Sequence, residues 1–286
     1  MNKQRRLLAI HDISGFGKCS LTVALPIISA CGVECSVMPT AVLSTHTGGF
    51  TGFTYRDLTE DMLPISEHWK SLNLNFDSIY TGFLGSFEQL NIVSNIFDKF
   101  KTENNIILVD PVMADYGKLY SIFPPEFVDG MANLCKKADI IVPNLTEATL
   151  MLHQEYKDGP YDKNYIEDIL KKLADFGPKK IVLTGVFFDM QNLGVATYDK
   201  ETKQIDYAFA KRIEGLYHGT GDVFGSSLIG SLLNGYKLND AAQIAVDFTA
   251  ASIEKTALAK TDIRFGVNFE QTIPELITTL KVGITK

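Results

Sequence analysis

Short, almost uninterrupted apolar segments recur along this chain, and longer segments with helical spacing lie between them. They are found at 7–12 (LLAIHD), 33–40 (VECSVMPT), 76–86 (FDSIYTGFLGS), 105–112 (NIILVDPV), 138–147 (ADIIVPNLTE) and 179–186 (KKIVLTGV). Such segments are typical of parallel strands buried on both faces of a sheet. The sequence therefore predicts an α/β fold, with helices over 19–30 and 89–100, a hairpin over 194–212 and a long helix beginning near Asn239. Its 286 residues suit one large domain, residues 1–286.

Polar residues follow or end these apolar segments. In an open parallel sheet, ligands bind beyond the carboxyl ends of the strands. Because residues from distant parts of the chain meet at that edge, we expect a site there. The residues concerned are Asp12, Asp110, Asn144, Glu147, Thr184 and the loop 219–222.

Charge and composition exclude several classes of function. The net charge is -7 and no Lys/Arg cluster is present, which argues against a nucleic-acid partner. No segment approaches the roughly 18 apolar residues of a membrane span, and 7–10 is too short for a signal peptide, so we expect a cytoplasmic protein without a membrane partner. The four cysteines lack metal-site spacing and are expected to be free core thiols.

Segment 216–235, LYHGTGDVFGSSLIGSLLNG, contains the most specific motif. Gly219, Thr220 and Gly221 can direct successive backbone N–H groups at one point, and the helix that follows adds its own unpaired N–H groups. This predicts an anion hole. Asp222 lies beside it, and the helix dipole should keep its carboxylate ionised as a weak but available base. Together these features indicate phosphoryl transfer to an alcohol, and the small residues after Asp222 indicate close helix packing.

Two motifs resemble those of the ribokinase-like superfamily: GTGDVFGSSLIG, its anion hole and catalytic base, and PNLTE, its magnesium-associated N-x-x-E motif. The segments STHTGGF, TGFLGS, DPVMADYGKLY, ADIIVPNLTEA and IVLTG are similar to the pyridoxal/pyridoxamine (vitamin B6) kinases of that superfamily. The resemblance covers roughly 7–259. It implies a three-layer α/β/α fold with a central, mostly parallel sheet, a small flap over 43–58, and usually a homodimer.

The resemblance also implies roles for individual residues. Asp222 would deprotonate the substrate hydroxymethyl group, while Gly219, Thr220 and Gly221 would hold the transferring phosphoryl group. ATP and Mg²⁺ would be organised by Asp110, Asn144 and Glu147, with Asp110 and Glu147 as metal ligands directly or through water. Thr184 and Thr220 would contact the nucleotide, and Thr47 the pyridine ring. A requirement for a monovalent cation such as K⁺ is left open.

Asp12 departs from the pattern, because many B6 kinases have a serine there that contacts the pyridine ring. A carboxylate could instead pair with a protonated ring nitrogen or an amine of the substrate, or bind water. The preferred vitamer is therefore open.

Several residues also have a purely structural interpretation. Asp222 could cap its helix, Asp110 could end a strand, and Asn144 and Glu147 could cap the helix after them. Thr47 could bond its own loop, and His11 and His46 are expected to be local hydrogen-bonding residues.

Three other functions remain. Hydroxymethylpyrimidine phosphorylation is closely related, and a catalytically silent vitamer- or nucleotide-binding protein would keep the fold, although not the intact Asp222 motif. A dehydrogenase is weakly supported, because GTGDVFG does not have G-x-G-x-x-G spacing.

Overall fold

The computed structural model describes residues 4–283. Within them the strands are β1 (Arg6–Ser14), β2 (Glu34–Leu43), β3 (Tyr55–Asp57), β4 (Ser78–Thr81), β5 (Ile106–Val109), β6 (Ala114–Asp115), β7 (Lys118–Leu119), β8 (Ile140–Ile141), β9 (Lys180–Val186), β10 (Asn192–Asp199) and β11 (Gln204–Lys211). The α-helices are α1 (Leu21–Ala30), α2 (Thr59–Ser71), α3 (Phe87–Phe100), α4 (Phe127–Cys135), α5 (Leu145–Met151), α6 (Lys163–Asp175), α7 (Thr220–Leu233), α8 (Leu238–Ala259) and α9 (Ile273–Leu280).

One nine-stranded sheet forms the centre, in the order β11-β10-β9-β8-β5-β4-β1-β2-β3. The pairings from β9 through β8, β5, β4 and β1 to β2 are all parallel. The outer pairings β9–β10, β10–β11 and β2–β3 are antiparallel. Strands β6 and β7 form a separate two-stranded hairpin. The carboxyl ends of the parallel strands therefore share one edge, as the apolar segments predict.

The two faces of the sheet bury different sets of helices. Leu7 and Ala9 of β1 pack into a core with α1, α7, α8 and α9. Leu8 and Ile10 point the other way, into a core with α2 to α6. Because successive side chains of a strand alternate between faces, an uninterrupted apolar strand supplies both cores. The fold is thus the three-layer α/β/α arrangement that the resemblance implies.

The structure differs from the sequence expectations mainly at boundaries. Strand β1 continues two residues past Asp12, Thr184 lies inside β9 instead of at its end, and α1 begins at Leu21. The edge strand β3 and the β6–β7 hairpin carry no strong sequence signal. The flap is a loop over 44–54 that leads into β3.

Two expectations about composition can be compared with the structure. No helix within residues 4–283 combines the length and the apolar character needed to cross a bilayer. All four cysteines are free thiols, two of them fully buried and two partly buried.

Candidate active site

The first turn of α7 is held against the loop after β1. Gly219 precedes it with φ 78° and ψ 1°, in the left-handed region. A Cβ atom there would lie 2.1 Å from the carbonyl oxygen of Lys18. A Cβ on Gly221 would lie 3.9 Å from Oδ2 of Asp110, so this turn faces the Asp110 carboxylate. Glycine is therefore needed at 219 for both conformation and space.

The rest of α7 packs closely because its small residues leave no gap. A Cβ on Gly225 would come within 2.4 Å of the Tyr80 hydroxyl on β4, and one on Gly230 within 2.4 Å of Sγ of Cys31 at the end of α1. The expectation of close packing is confirmed, and it fixes the position of the helix start.

Asp222 is turned away from its own helix. Its Oδ2 accepts a hydrogen bond of 2.8 Å from the backbone N–H of Ser20, and only 14% of its side chain is exposed. Ser20 has φ 56° and ψ -130°, a conformation unusual for a residue with a Cβ, which marks stored backbone strain. The Ser20 hydroxyl donates to Oδ1 of Asp12 at 2.6 Å, and the Ser14 hydroxyl to Oδ2 at 3.2 Å. A hydrogen-bonded chain thus runs from Asp12 through Ser20 to Asp222.

The expectation that the Asp222 carboxylate is always ionised is wrong. Burial raises the pKa of Asp222 to about 7; the Ser20 N–H opposes the shift and the charge of Asp12 adds to it. The helix dipole was expected to favour the ionised form and make Asp222 an always available base, but burial leaves the group partly protonated near neutral pH. The alternative helix-cap role is also not observed, because Gly219 occupies the cap position.

A second pair of acidic residues is Asp110, directly after β5, and Glu147, in the first turn of α5 after β8. Burial and the neighbouring charges of Glu147 and Asp222 raise the pKa of Asp110 well above its usual range. Burial also raises the pKa of Glu147, although backbone N–H groups oppose the shift. Both carboxyl groups are buried, and no Lys, Arg or His side chain within residues 4–283 is among the groups that shift their pKa values. A bound cation would relieve this unfavourable burial of charge.

Asn144 and Glu147 form a capping box at the start of α5. Oδ1 of Asn144 accepts from the Glu147 N–H at 2.9 Å, and Oε2 of Glu147 accepts from the Asn144 N–H at 2.9 Å. Oε1 of Glu147 also accepts from the Met113 N–H at 3.1 Å, and Nδ2 of Asn144 donates to the Ala114 carbonyl at 2.8 Å. The structural interpretation of this pair is therefore confirmed, and both side chains are fixed in place.

The carboxylate oxygens of Asp110 and Glu147 suit a Mg²⁺ ion that the protein coordinates only in part. Within residues 4–283, no three His, Cys, Asp or Glu side chains are grouped so that they could hold a metal on their own. Mg²⁺ commonly takes only one or two carboxylates and completes its shell with water and substrate phosphates. Asp110 and Glu147 fit that requirement.

The flap is attached to two other loops through His46. Nε2 of His46 lies 2.6 Å from the Arg264 carbonyl oxygen, and its Nδ1 accepts from the Gly48 N–H at 3.0 Å. Its ring lies 5.1 Å from that of His218, the residue before Gly219. His46 is thus the local hydrogen-bonding residue that was expected.

Three predicted contact residues lie around this site. Thr47 is exposed in the flap, and Thr184 Oγ1 is 3.4 Å from the Pro143 carbonyl, beside the bridge that Thr184 makes with Asn144. Thr220 begins α7, and its hydroxyl donates to the Tyr217 carbonyl at 3.3 Å. Their ligand contacts stay predictions.

Two residues of the site were not predicted as functional. Ser20 positions Asp222 through its backbone, which no side-chain pattern announces. His11 is fully buried, and in the described part of the chain neither ring nitrogen has a hydrogen-bond partner; its Nδ1 lies 4.0 Å from Oδ1 of Asp222. The expectation that His11 makes local hydrogen bonds is therefore wrong.

Comparisons with known proteins identify the family of this chain and agree with its fold. The family model for phosphomethylpyrimidine kinase matches residues 24–266. A candidate phosphomethylpyrimidine kinase from Bacteroides thetaiotaomicron, crystallised with pyridoxal, is 37% identical, with a TM-score of 0.90 over 99% of this chain and 98% of that one. Pyridoxal kinase from Lactobacillus plantarum is 30% identical, with a TM-score of 0.89 over 99% of both chains.

A curated relative matches over a shorter length. The pyridoxal kinase of Dictyostelium discoideum is 33% identical over 174 residues, which is 56% of this chain and 55% of that relative. The family model nevertheless spans well over half of this chain, and the solved relatives superpose on nearly all of it. The chain therefore belongs to the phosphomethylpyrimidine kinase family, and within it to the ribokinase-like pyridoxal kinases.

Proposed function

We propose that this chain is an ATP-dependent kinase that phosphorylates the 5'-hydroxymethyl group of a vitamin B6 vitamer, pyridoxal, pyridoxamine or pyridoxine. One observation carries the proposal: the buried carboxylate of Asp222 lies at the N-terminal turn of α7, directly after Gly219–Gly221, and that turn faces Asp110. An anion-binding turn, a base and a pair of metal-binding carboxyl groups are the parts that phosphoryl transfer needs.

Asp222 acts as the base in this proposal. A group with a pKa of about 7 exists in both protonation states at neutral pH, so it can take the hydroxyl proton and release it again. The Ser20 N–H holds Oδ2, which fixes the direction of the carboxylate. The oxygen of the substrate attacks the terminal phosphorus of ATP, the bond to the ADP oxygen breaks, and the proton passes to Asp222.

The N–H groups of Gly219, Thr220 and Gly221 stabilise the negative charge of the transferring phosphoryl group. When bound, Mg²⁺ would neutralise part of the negative charge of the ATP phosphates. Asp110 and Glu147 would hold that ion directly or through water, with Asn144 fixed beside them by the capping box. Thr184 and Thr220 would contact the nucleotide.

Thr47 and Asp12 would recognise the ring of the substrate. The flap that carries Thr47 would close over the ring and exclude water. Both oxygens of Asp12 accept a hydroxyl hydrogen bond, and each oxygen of an ionised carboxylate can accept another, so a protonated ring nitrogen or an amine remains a suitable partner. The crystallised relative with pyridoxal supports a B6 vitamer as the substrate.

Hydroxymethylpyrimidine kinase is the second candidate, because the family model that matches is that of a pyrimidine kinase, phosphomethylpyrimidine kinase. A candidate hydroxymethylpyrimidine/phosphomethylpyrimidine kinase of Schizosaccharomyces pombe is 27% identical over 191 residues, which is 61% of this chain and 34% of that relative. Hydroxymethylpyrimidine, like a B6 vitamer, is a flat heteroaromatic ring with a hydroxymethyl group, so the same base and anion hole would serve. A silent binding protein would have no need for the Asp222 geometry.

The test is Mg²⁺-dependent ADP release with pyridoxal, pyridoxamine, pyridoxine, hydroxymethylpyrimidine and ribose, for wild type and Asp222→Asn. We expect turnover on at least one B6 vitamer that is lost in Asp222→Asn while ATP binding remains. Turnover on the pyrimidine alone would keep the mechanism and change the substrate. ATP binding without turnover on any substrate would favour the silent binding protein.

Assembly and ion requirements extend the proposal. We propose a cytoplasmic homodimer in which residues 1–286 form one kinase domain, and light scattering on the purified chain tests the dimer. A comparison of K⁺ with a bulky organic cation in the same assay tests the monovalent ion.

A further inference from the structure

His11 is buried directly beneath Asp222, on the strand that leads into the site. Its ring packs edge-on against Tyr80, with centroids 4.5 Å apart and an interplanar angle of 74°. A Cβ on Gly82 would lie 2.3 Å from Nδ1 of His11, so the glycine of the TGF segment makes room for the ring. The register of β1 shifts between His11 and Ile13, and such bulges re-aim side chains beside active sites. The ring is thus fixed by packing on several sides.

The polar atoms of this ring are otherwise unexplained. Neither nitrogen has a hydrogen-bond partner among residues 4–283, although the residue is completely buried. A buried polar group without a partner is destabilising, so its presence needs a reason. A carboxylate lies close to the ring: Oδ1 of Asp222 is 4.0 Å from Nδ1 of His11.

We propose that His11 is a positioning residue for the base: as a neutral imidazole with its proton on Nδ1, it donates to Oδ1 of Asp222 during turnover. The inference rests on the proposed kinase function. Ser20 already holds Oδ2, so His11 would complete a two-point support that sets the direction of the carboxylate. His11 keeps its proton throughout, while the proton of the substrate hydroxyl goes to Asp222.

The charge state and the distance support this role. Burial lowers the pKa of His11 to about 3, so the ring is neutral at working pH and carries a single N–H. At 4.0 Å the pair is not hydrogen-bonded, but a shift of about 1 Å would bring it into range. Catalytic hydrogen bonds are often long before substrate binds and tighten in the reacting complex.

The test compares His11→Asn with His11→Leu. The two side chains have nearly the same shape, and both remove the ring, so the packing loss is shared. Only the Asn amide can place an N–H near the position of Nδ1. We expect kcat of His11→Leu to be about tenfold or more below that of His11→Asn, with similar KM values, because the lost bond goes to a charged group.

Stability should run in the opposite order. The buried amide of Asn makes that variant the less stable one, so Tm should be higher for His11→Leu. A purely structural role would make kcat follow Tm, and equal or reversed kcat values would therefore overturn the proposal.

A measurement on the wild-type protein does not depend on how the variants fold. With ¹⁵N-labelled histidine, the ring of His11 can be assigned by its contact with Tyr80, and its nitrogen shifts report the tautomer. A protonated Nδ1 is expected, and a protonated Nε2 would overturn the inference. Absence of wild-type turnover on every substrate would instead defeat the proposed kinase function, while the tautomer would still be measured.

Discussion

Replacement of Asp222 by Asn should make the protein more stable above neutral pH while it removes activity. In the folded protein burial raises the pKa of this carboxyl from 3.8 to about 7. When folding raises the pKa of a group, the contribution of that group to the free energy of unfolding is fully present below its pKa in the unfolded chain. It is lost as the pH rises through its pKa in the folded protein. The wild type therefore loses stability relative to Asp222→Asn as pH increases.

The size of this effect follows from the shift. Between about pH 5 and pH 7 the unfolded chain has released the proton and the folded chain still holds it. Each pH unit in this range lowers the free energy of unfolding of the wild type by about 1.4 kcal/mol. Two pH units therefore lower the free energy of unfolding by about 3 kcal/mol, which for a chain of this size corresponds to a difference in Tm of roughly 6 °C.

Thermal unfolding followed by circular dichroism at about pH 5 and about pH 8 gives the measurement. The Tm advantage of Asp222→Asn over wild type should be larger at the higher pH by this amount. Asp175→Asn, which changes a carboxylate that is 84% exposed, is the control and should show little change with pH. An Asp222→Asn advantage that is the same at both pH values would show that Asp222 is ionised in the folded protein, and the explanation based on burial would be wrong.

Three further outcomes are expected. The value of kcat/KM should rise with unit slope up to about pH 7 and then level off, because the free enzyme needs Asp222 ionised; a flat profile there would remove Asp222 as the base. Gly219→Ala should lower both Tm and kcat strongly, since its Cβ would lie 2.1 Å from the Lys18 carbonyl oxygen. Gly235→Ala, with φ 88°, should lose only about 1 kcal/mol of stability and keep its kcat, because apart from its chain neighbours no atom of residues 4–283 lies within 4 Å of the added Cβ. Ser20→Gly should be more stable than Ser20→Ala by about 1 kcal/mol in urea unfolding, because both lose the hydroxyl but only glycine relieves a φ of 56°; the reverse order would show that the strain is absent.

The sequence predicts most of this fold because its signals are local. Uninterrupted apolar segments mark the parallel strands, and the spacing in 89–100 marks α3. Strands β3, β6 and β7 were missed because they are two or three residues long and lie outside the apolar segments, so they form only through their partners. Tertiary pairing, not composition, creates them.

The site was predicted in position but not in electrostatics. The Gly219–Asp222 motif and the carboxyl group of Asp110 could be found from residue type and place along the chain. The pKa of Asp222 could not, because it depends on burial and on Asp12, more than 200 positions away along the chain. Ser20 was missed for the same reason, since its contribution is a backbone N–H that becomes visible only when α1 and α7 are packed together.

The close contact of Gly230 with Cys31 has an evolutionary consequence. There is no room for a Cβ at 230 while a cysteine side chain occupies 31, so these two positions cannot drift independently. A larger residue at 230 would be admitted only in lineages whose residue 31 has shrunk, because the added Cβ would lie 2.4 Å from Sγ and 2.8 Å from Cβ of Cys31. Relatives that differ at one of these positions should therefore differ at the other, although neither residue touches a substrate.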